Sequence, residues 1–196
     1  SKDFGGNYSP YSNQVTVTPS FGLNYEYFHG TWSSLPNFNS ISRVATGKVQ
    51  NVSIAPRTRN DQFGFLWEGY IRIPVTGTYY FQTSSDDGSK LYLGTLGATG
   101  SPYSHTGTAV VSNDGLHGTT TVTSTPRFLT AGIYPFAATF FENSGGEVMN
   151  VAWRTPWTEN SFEPIPNMYF PDQPISGSYP DKPSNVSAAA VSHGQI

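Results

Sequence analysis

In the stretch Thr78-Tyr79-Tyr80-Phe81-Gln82-Thr83-Ser84-Ser85-Asp86-Asp87-Gly88-Ser89-Lys90-Leu91-Tyr92-Leu93, two alternating runs flank a pair of adjacent carboxylates. The first run is aromatic; the second alternates Leu91 and Leu93 with Lys90 and Tyr92. Both patterns suit half-buried antiparallel strands, in which every second side chain enters the core. The acidic turn between them has two readings. Asp and Gly are ordinary hairpin residues, so a hydrated turn accounts for Asp86-Asp87-Gly88 on local grounds. Two neighbouring acids also repel each other at neutral pH, which full hydration, a nearby cation or a bound metal would offset.

Outward from this stretch the chain continues as short strand-like runs separated by Gly, Pro, Asn and Ser. Phe63 to Ile73 is the densest apolar run before it, and Gly22 to Phe28 places Leu23, Tyr25 and Tyr27 on one face. Gln14 to Thr18 alternates as an entry strand, and Arg43 to Ile54 alternates weakly around Gly47. After it, Gly94 to Thr108 reads as a polar surface loop. Ala109 to Ser112 and Thr119 to Ser124 are short strands around the compact turn Asn113-Asp114-Gly115-Leu116-His117-Gly118. Ile133 to Phe141 resumes a strand, and Val148 to Trp153 pairs back on it across Glu142-Asn143-Ser144-Gly145-Gly146-Glu147. No sustained 3.6-residue period occurs, so any helix is short. These patterns predict an all-β, antiparallel β-sandwich of jelly-roll-like type. Residues 1–13 form a loose N-terminal segment, 14–172 the sandwich, and 173–196 a linker-like tail. Phe65, Trp67, Tyr79, Phe81, Leu91, Phe140 and Trp153 are the predicted core.

Composition excludes several functions. The chain has 196 residues, 15% of them aromatic and only 12% charged, with 20 Gly and 15 Pro, as suits a turn-rich β-protein. With a formal charge of -3 and a pI near 5.7, it has no basic stripe for nucleic acid or an anionic membrane. It contains no cysteine, which removes disulfides and thiolate zinc sites. No apolar run reaches the roughly 20 residues that span a bilayer. Membrane insertion is therefore not expected.

Catalytic templates are missing: there is no nucleophile elbow, phosphate loop, paired-histidine helix or dinucleotide fingerprint. Asp86 and Asp87 are neighbours in one turn, whereas glycoside hydrolysis needs two carboxylates facing each other across a bond. No catalytic residue is assigned, and the chain is not expected to be an enzyme. Two loops carry hard oxygen donors instead. Asp86-Asp87-Gly88 offers carboxylates, and Glu142 to Glu147 offers more, with glycines that let carbonyls turn inward. Calcium prefers such donors, and a vicinal diol of a sugar can fill positions that protein side chains leave open.

The order Gly22-Leu23-x-Tyr25-x-Tyr27, Trp32, Leu35-Pro36-x-Phe38, Gly69-Tyr70-Ile71, Gly77-Thr78-Tyr79-x-Phe81 and Ser85-Asp86-Asp87-Gly88-Ser89-x-Leu91 resembles the domain family named after the fourteen-kilodalton fragment of anthrax protective antigen. Asn113 to Gly118 and the run from Tyr134-Pro135 to Gly145-Gly146 match as well, so the resemblance covers roughly residues 20 to 157. It implies an extracellular β-sandwich module of cell-surface adhesins, toxins or glycosidases. In sugar-binding members the paired aspartates adjoin across a cis peptide and hold calcium, and Asp86 and Asp87 match that pair. The second calcium loop corresponds to Glu142 through Glu147, where either Glu142 or Asn143 takes the place of the family's side-chain ligand. The implied metal ligands are Asp86, Asp87, Glu142, Asn143, Gly145 and Gly146. The implied sugar contacts are Asp86, Asp87, Gly88, Glu142, Asn143, Ser144 and Glu147. Fungal members are usually disulfide-bonded, so the absence of cysteine places this chain nearer the bacterial adhesins. The expectation is a calcium-dependent lectin module of a larger cell-surface adhesin, binding a surface glycan or monosaccharide through vicinal hydroxyls. A calcium-stabilised docking module and an accessory domain of a glycoside hydrolase are the alternatives.

Overall fold

The computed structural model describes residues 21–158 and 160–172. The expected strand at Gln14–Thr18, the segment 1–13 and the tail 173–196 lie outside the described residues. Within them are eleven strands: β1 Leu23–His29, β2 Ala45–Val49, β3 Phe63–Ile73, β4 Gly77–Asp86, β5 Ser89–Leu93, β6 Val111–Asn113, β7 Thr120–Thr123, β8 Arg127–Leu129, β9 Gly132–Glu142, β10 Val148–Arg154 and β11 Glu163–Pro164. The helical elements among them are two three-residue 3-10 turns, Phe38–Ser40 and Asn167–Tyr169. One sheet has the order β2-β1-β3-β9-β5-β6 and the other β11-β10-β4-β7, with β8 continuing the edge of β4 beyond β7. Every pairing is antiparallel, which makes the molecule an all-β sandwich as the alternation predicts.

The alternation of β4 sends Tyr79, Phe81, Thr83 and Ser85 inward and leaves the intervening residues half-exposed or exposed. Phe65, Trp67, Tyr79, Phe81, Leu91, Phe140 and Trp153 are all fully buried between the sheets. Phe65 and Trp67 stack with ring centroids 5.0 Å apart, and Tyr79 and Trp153 pack at 5.8 Å across the second sheet. A second apolar cluster lies on the outer face of the six-stranded sheet. There Phe28, Leu66, Tyr92 and Phe141 are covered by Leu35, Phe38 and Tyr103. The loop 94–108 is therefore more than a polar surface segment: Tyr103 plugs this face, and its hydroxyl accepts a hydrogen bond from the Phe38 amide at 3.1 Å. Burial on both faces also explains why β9 is an almost continuous apolar run rather than an alternating one.

Two local expectations are overturned. β4 and β5 do not form a hairpin, since β4 pairs with β10 and β7 while β5 pairs with β6 and β9. The same holds for β9 and β10, which lie in opposite sheets. Alternation identifies a strand but not its neighbour, and a short loop can turn over the end of a sandwich as readily as it can close a hairpin. The turns at 87–88 and 143–147 are crossings between sheets, and so is the turn 114–119 between β6 and β7. The registers Phe63↔Glu142, Ser85↔Thr120, Asp86↔Val148 and Ser89↔Asn113 put all three crossings at one end of the sandwich.

Candidate metal and ligand site

Beneath this end the core turns polar. Thr83, Ser85, Ser89 and Asn113 are buried where β4, β5 and β6 meet. The Ser85 and Ser89 hydroxyls lie 2.8 Å apart, and the Asn113 amide donates to Ser85 Oγ at 3.0 Å and to the Thr120 carbonyl at 2.9 Å. One side chain thus ties both ends of two crossings together, and its polar groups are satisfied where an unpaired group would be costly. Gly88 is required by close approach. A Cβ there would fall 2.5 Å from the Phe141 ring and 3.0 Å from the Gly115 nitrogen. Its carbonyl accepts from the Phe141 amide at 2.9 Å, which fastens the acidic turn to β9.

On this floor sit three carboxylates. The Asp86-Asp87 peptide is cis. Asp87 is buried, and both its oxygens accept backbone amides at 2.9 Å, Oδ1 from His117 and Oδ2 from Asn143. It therefore binds the other two crossing loops to its own. Asp86 is half-buried, with the Thr119 hydroxyl 3.5 Å from its Oδ2. Glu142, the last residue of β9, is fully buried, and neither of its carboxylate oxygens makes a well-formed hydrogen bond, the Asp87 backbone N–H being the one donor that bears on it. Burial first, and then the carboxylates of Asp87, Asp86 and Asp61, push its pKa up to about 8. One oxygen from each of Asp86, Asp87 and Glu142 falls within 4.8 Å of the others. None of the ion pairs formed among the described residues involves these three acids. The donor set fits a hard divalent cation: it is all oxygen, and a cation would supply a partner to the two buried Glu142 oxygens.

The cluster opens into a cleft of about 410 Å³ lined by Asp86, Asp87, Leu116, His117, Gly118, Asn143, Ser144, Gly145 and Gly146. Of the residues expected from sequence, Asp86, Asp87, Asn143, Ser144, Gly145 and Gly146 meet here, with Glu142 beneath them. Two stand apart from the lining. Gly88 is buried under the turn, and the Glu147 carboxylate faces Arg57 at 3.9 Å. The glycines of the second loop leave the rim low, since a Cβ on Gly146 would lie 3.3 Å from Asp86 Oδ2 and Gly145 adopts φ +121°.

Sequence reading missed the wall made by Leu116, His117 and Gly118. It reads as a compact turn and as one of the stretches that match the family, without a role in the site, and nothing local places it beside Asp87; the Ser85↔Thr120 register does. It also missed Asp61, whose Oδ1 accepts the Gly145 amide at 3.1 Å. Tyr103, Trp32 and Trp157, aromatic residues of the loops, do not line the cleft. Tyr103 is in the outer cluster, Trp32 packs edge-on against Phe38, and Trp157 rests against Tyr79 and Trp153.

The PA14 domain family model matches residues 20–162. No curated protein matches the chain. Solved structures of similar fold include the PA14 domain of the MpAFP antifreeze protein, at 18% identity and TM-score 0.60 over 86% of this chain and 100% of that one. A PA14 sugar-binding domain from an RTX adhesin aligns at 17% identity and TM-score 0.55, over 78% of this chain and 99% of that one. The Epithelial Adhesin 6 A domain from Candida glabrata, solved in complex with Galb1-3GlcNAc, aligns at 18% identity and TM-score 0.56, over 84% and 96%. Identities this low speak for the fold. The family match, spanning residues 20–162, carries the assignment: this chain belongs to the PA14 domain family.

Proposed function

We propose that the chain is a calcium-dependent carbohydrate-binding module of a cell-surface adhesin, with its site in the cleft above Asp86, Asp87 and Glu142. The carrying observation is the buried Glu142 carboxylate, without a cationic partner or a well-formed hydrogen bond among the described residues and within 4.8 Å of two further acids at the floor of an open cleft. The two sugar-binding adhesin domains of similar fold support the same reading. Asp86, Asp87 and Glu142 would hold the ion, with Asn143 and the backbone of Gly145 and Gly146 within the same loop. The bound ion supplies a Lewis-acidic surface on which two neighbouring hydroxyls of a neutral sugar replace water. Asp86 and Asn143 accept and donate hydrogen bonds to the sugar, the exposed Ser144-Gly145-Gly146 backbone bounds it on one side, and Leu116 offers an apolar contact on the other.

This is binding chemistry rather than catalysis, because all three acids converge on one point. None of them faces another across a bond to be cleaved. An open cleft buries little of one sugar, so the dissociation constant should be roughly 0.1–10 mM, strengthened by multivalency at a surface. The test is a broad glycan array, rich in terminal β-galactosides, read with calcium and then with chelator. Binding with calcium that disappears with chelator is the expected result. Calcium binding without any bound glycan would return the site to a structural role, and glycan binding that survives chelation would move the sugar elsewhere.

A further inference from the structure

The loop that would supply Asn143, Gly145 and Gly146 has two flanks. On the inner flank the Asn143 amide is held by Asp87 Oδ2. The outer flank is held by a segment from a distant part of the chain, residues 59–62, just before β3. The Gln62 amide donates to the Asn143 carbonyl at 3.2 Å, and the Gly145 amide donates to Asp61 Oδ1 at 3.1 Å. Gln62 adopts φ +58°, the only positive φ of a non-glycine residue among the described residues. An L-residue rarely holds that conformation without support. Here the support is visible: the Gln62 carbonyl accepts the Gly30 amide at 2.9 Å and the Arg59 guanidinium at 3.2 Å. The segment is thus fixed from behind before it grips the loop.

In a trans peptide the N–H of one residue and the C=O of the residue before it point in opposite directions. By taking the Gly145 N–H, Asp61 turns the Ser144 carbonyl away from itself; Ser144 lines the cleft and Asp61 does not. Gly145, at φ +121° and with open space where a Cβ would stand, has no side chain to fix this orientation. We infer that Asp61 is a positioning residue, which sets the backbone of residues 143–146 in the orientation that serves a cation held by Asp86, Asp87 and Glu142. The inference rests on the reading of that cluster as a cation site; Asp61 positions the loop as a hydrogen-bond acceptor, in addition to the charge with which it bears on Glu142.

The two roles separate in a pair of variants. Asp61→Asn keeps the Oδ1 acceptor and removes the charge, whereas Asp61→Ala removes both. Calcium affinity is measured by calorimetry, with no sugar present, beside amide exchange of the 143–147 peptide. Asp61→Ala should weaken calcium roughly 5- to 10-fold, the value of one lost hydrogen bond, and speed exchange in that peptide. Asp61→Asn should stay within about 2-fold of the parent in exchange and, having lost only the charge that bears on Glu142, should bind calcium more tightly than Asp61→Ala. If Asp61→Ala binds calcium as the parent does, or if Asp61→Asn is as weak as Asp61→Ala, the positioning role is wrong. Asp87→Asn is the control for the site itself: if it leaves calcium affinity unchanged, the cation-site reading fails, whatever Asp61 does.

Discussion

Asp86-Asp87-Gly88 and Asn113-Asp114-Gly115 are nearly the same word in the same setting, each a crossing between sheets at one end of the sandwich. Their carboxylates have opposite fates. Asp114 is saturated from within: its Oδ1 accepts the Leu35 amide at 2.7 Å and the Gly115 amide at 2.9 Å, and its Oδ2 receives Lys90 Nζ at 2.8 Å. The first turn has amides for Asp87, but no basic side chain among the described residues pairs with the three acids it gathers. What distinguishes a structural aspartate from a candidate ligand is therefore whether the chain supplies the counter-charge. In one turn Lys90 does so; in the other no basic side chain among the described residues pairs with the three acids, which leaves a place that an ion could take.

The largest effect expected from this contrast is at Asp87. Asp87→Asn should weaken calcium roughly 100-fold, read by calorimetry. It removes a charge from a hard-cation site, and it also sets an amide NH₂ against one of two backbone donors, His117 or Asn143. An affinity within a few-fold of the parent would dissolve the contrast between the turns. Asp114→Ala should do the reverse. It should lower folding stability by roughly 2–3 kcal/mol in a denaturant melt, since two amides and Lys90 lose one acceptor, and leave calcium affinity within about 3-fold.

Much of this was legible in the sequence. Alternation at Tyr79, Phe81, Leu91 and Phe140 marks the strands and the core, because a half-buried sheet imposes a period of two on any chain. What alternation could not show is that Ser85 and Ser89 flank a crossing rather than a hairpin. That depends on which sheet captures β5, a matter settled by contacts with β9, some fifty residues away. The acid pair was visible because its members are adjacent. Asp61 was not, since it meets Gly145 across 84 residues, and Leu116 looked like any turn residue. Sites built at the ends of strands from several loops are legible only in the loops that carry their chemistry locally.

Glu142 sharpens the comparison through pH. Its carboxyl ordinarily titrates near 4.5 and in the folded protein is pushed up to about 8. The metal-free folded state therefore holds one more proton than the unfolded state between those values. Stability from this group is complete below about pH 4.5 and is lost as pH rises towards 8. The melting temperature in chelator should fall across that window. Saturating calcium should remove the fall, because the ion binds the ionised form and displaces the proton; below pH 8, calcium affinity should rise up to about tenfold per pH unit. Glu142→Gln should flatten both profiles. A metal-free melting temperature that does not fall between pH 5 and 8 would mean that Glu142 has found partners of its own, as Asp114 has.

The smallest expected effect tests the other half of the contrast. Lys90→Met removes the cation that the chain supplies to Asp114 while keeping an apolar stem of similar length. The pair is only partly covered, with side-chain exposures of 21% and 22%, so solvent already shares in stabilising both charges. The Leu35 and Gly115 amides still hold Asp114 Oδ1. The loss should then be about 0.5–1 kcal/mol in a denaturant melt and should shrink at high salt, as for any partly exposed ion pair. Calcium affinity should change by less than about 2-fold, since Lys90 makes its ion pair with Asp114 and not with the acid cluster. A tenfold gain in calcium affinity for Lys90→Met would show that the two turns share one electrostatic site, with Lys90 competing against the ion. The division between a turn neutralised from within and a turn left open would then have to be redrawn around all three aspartates and Glu142.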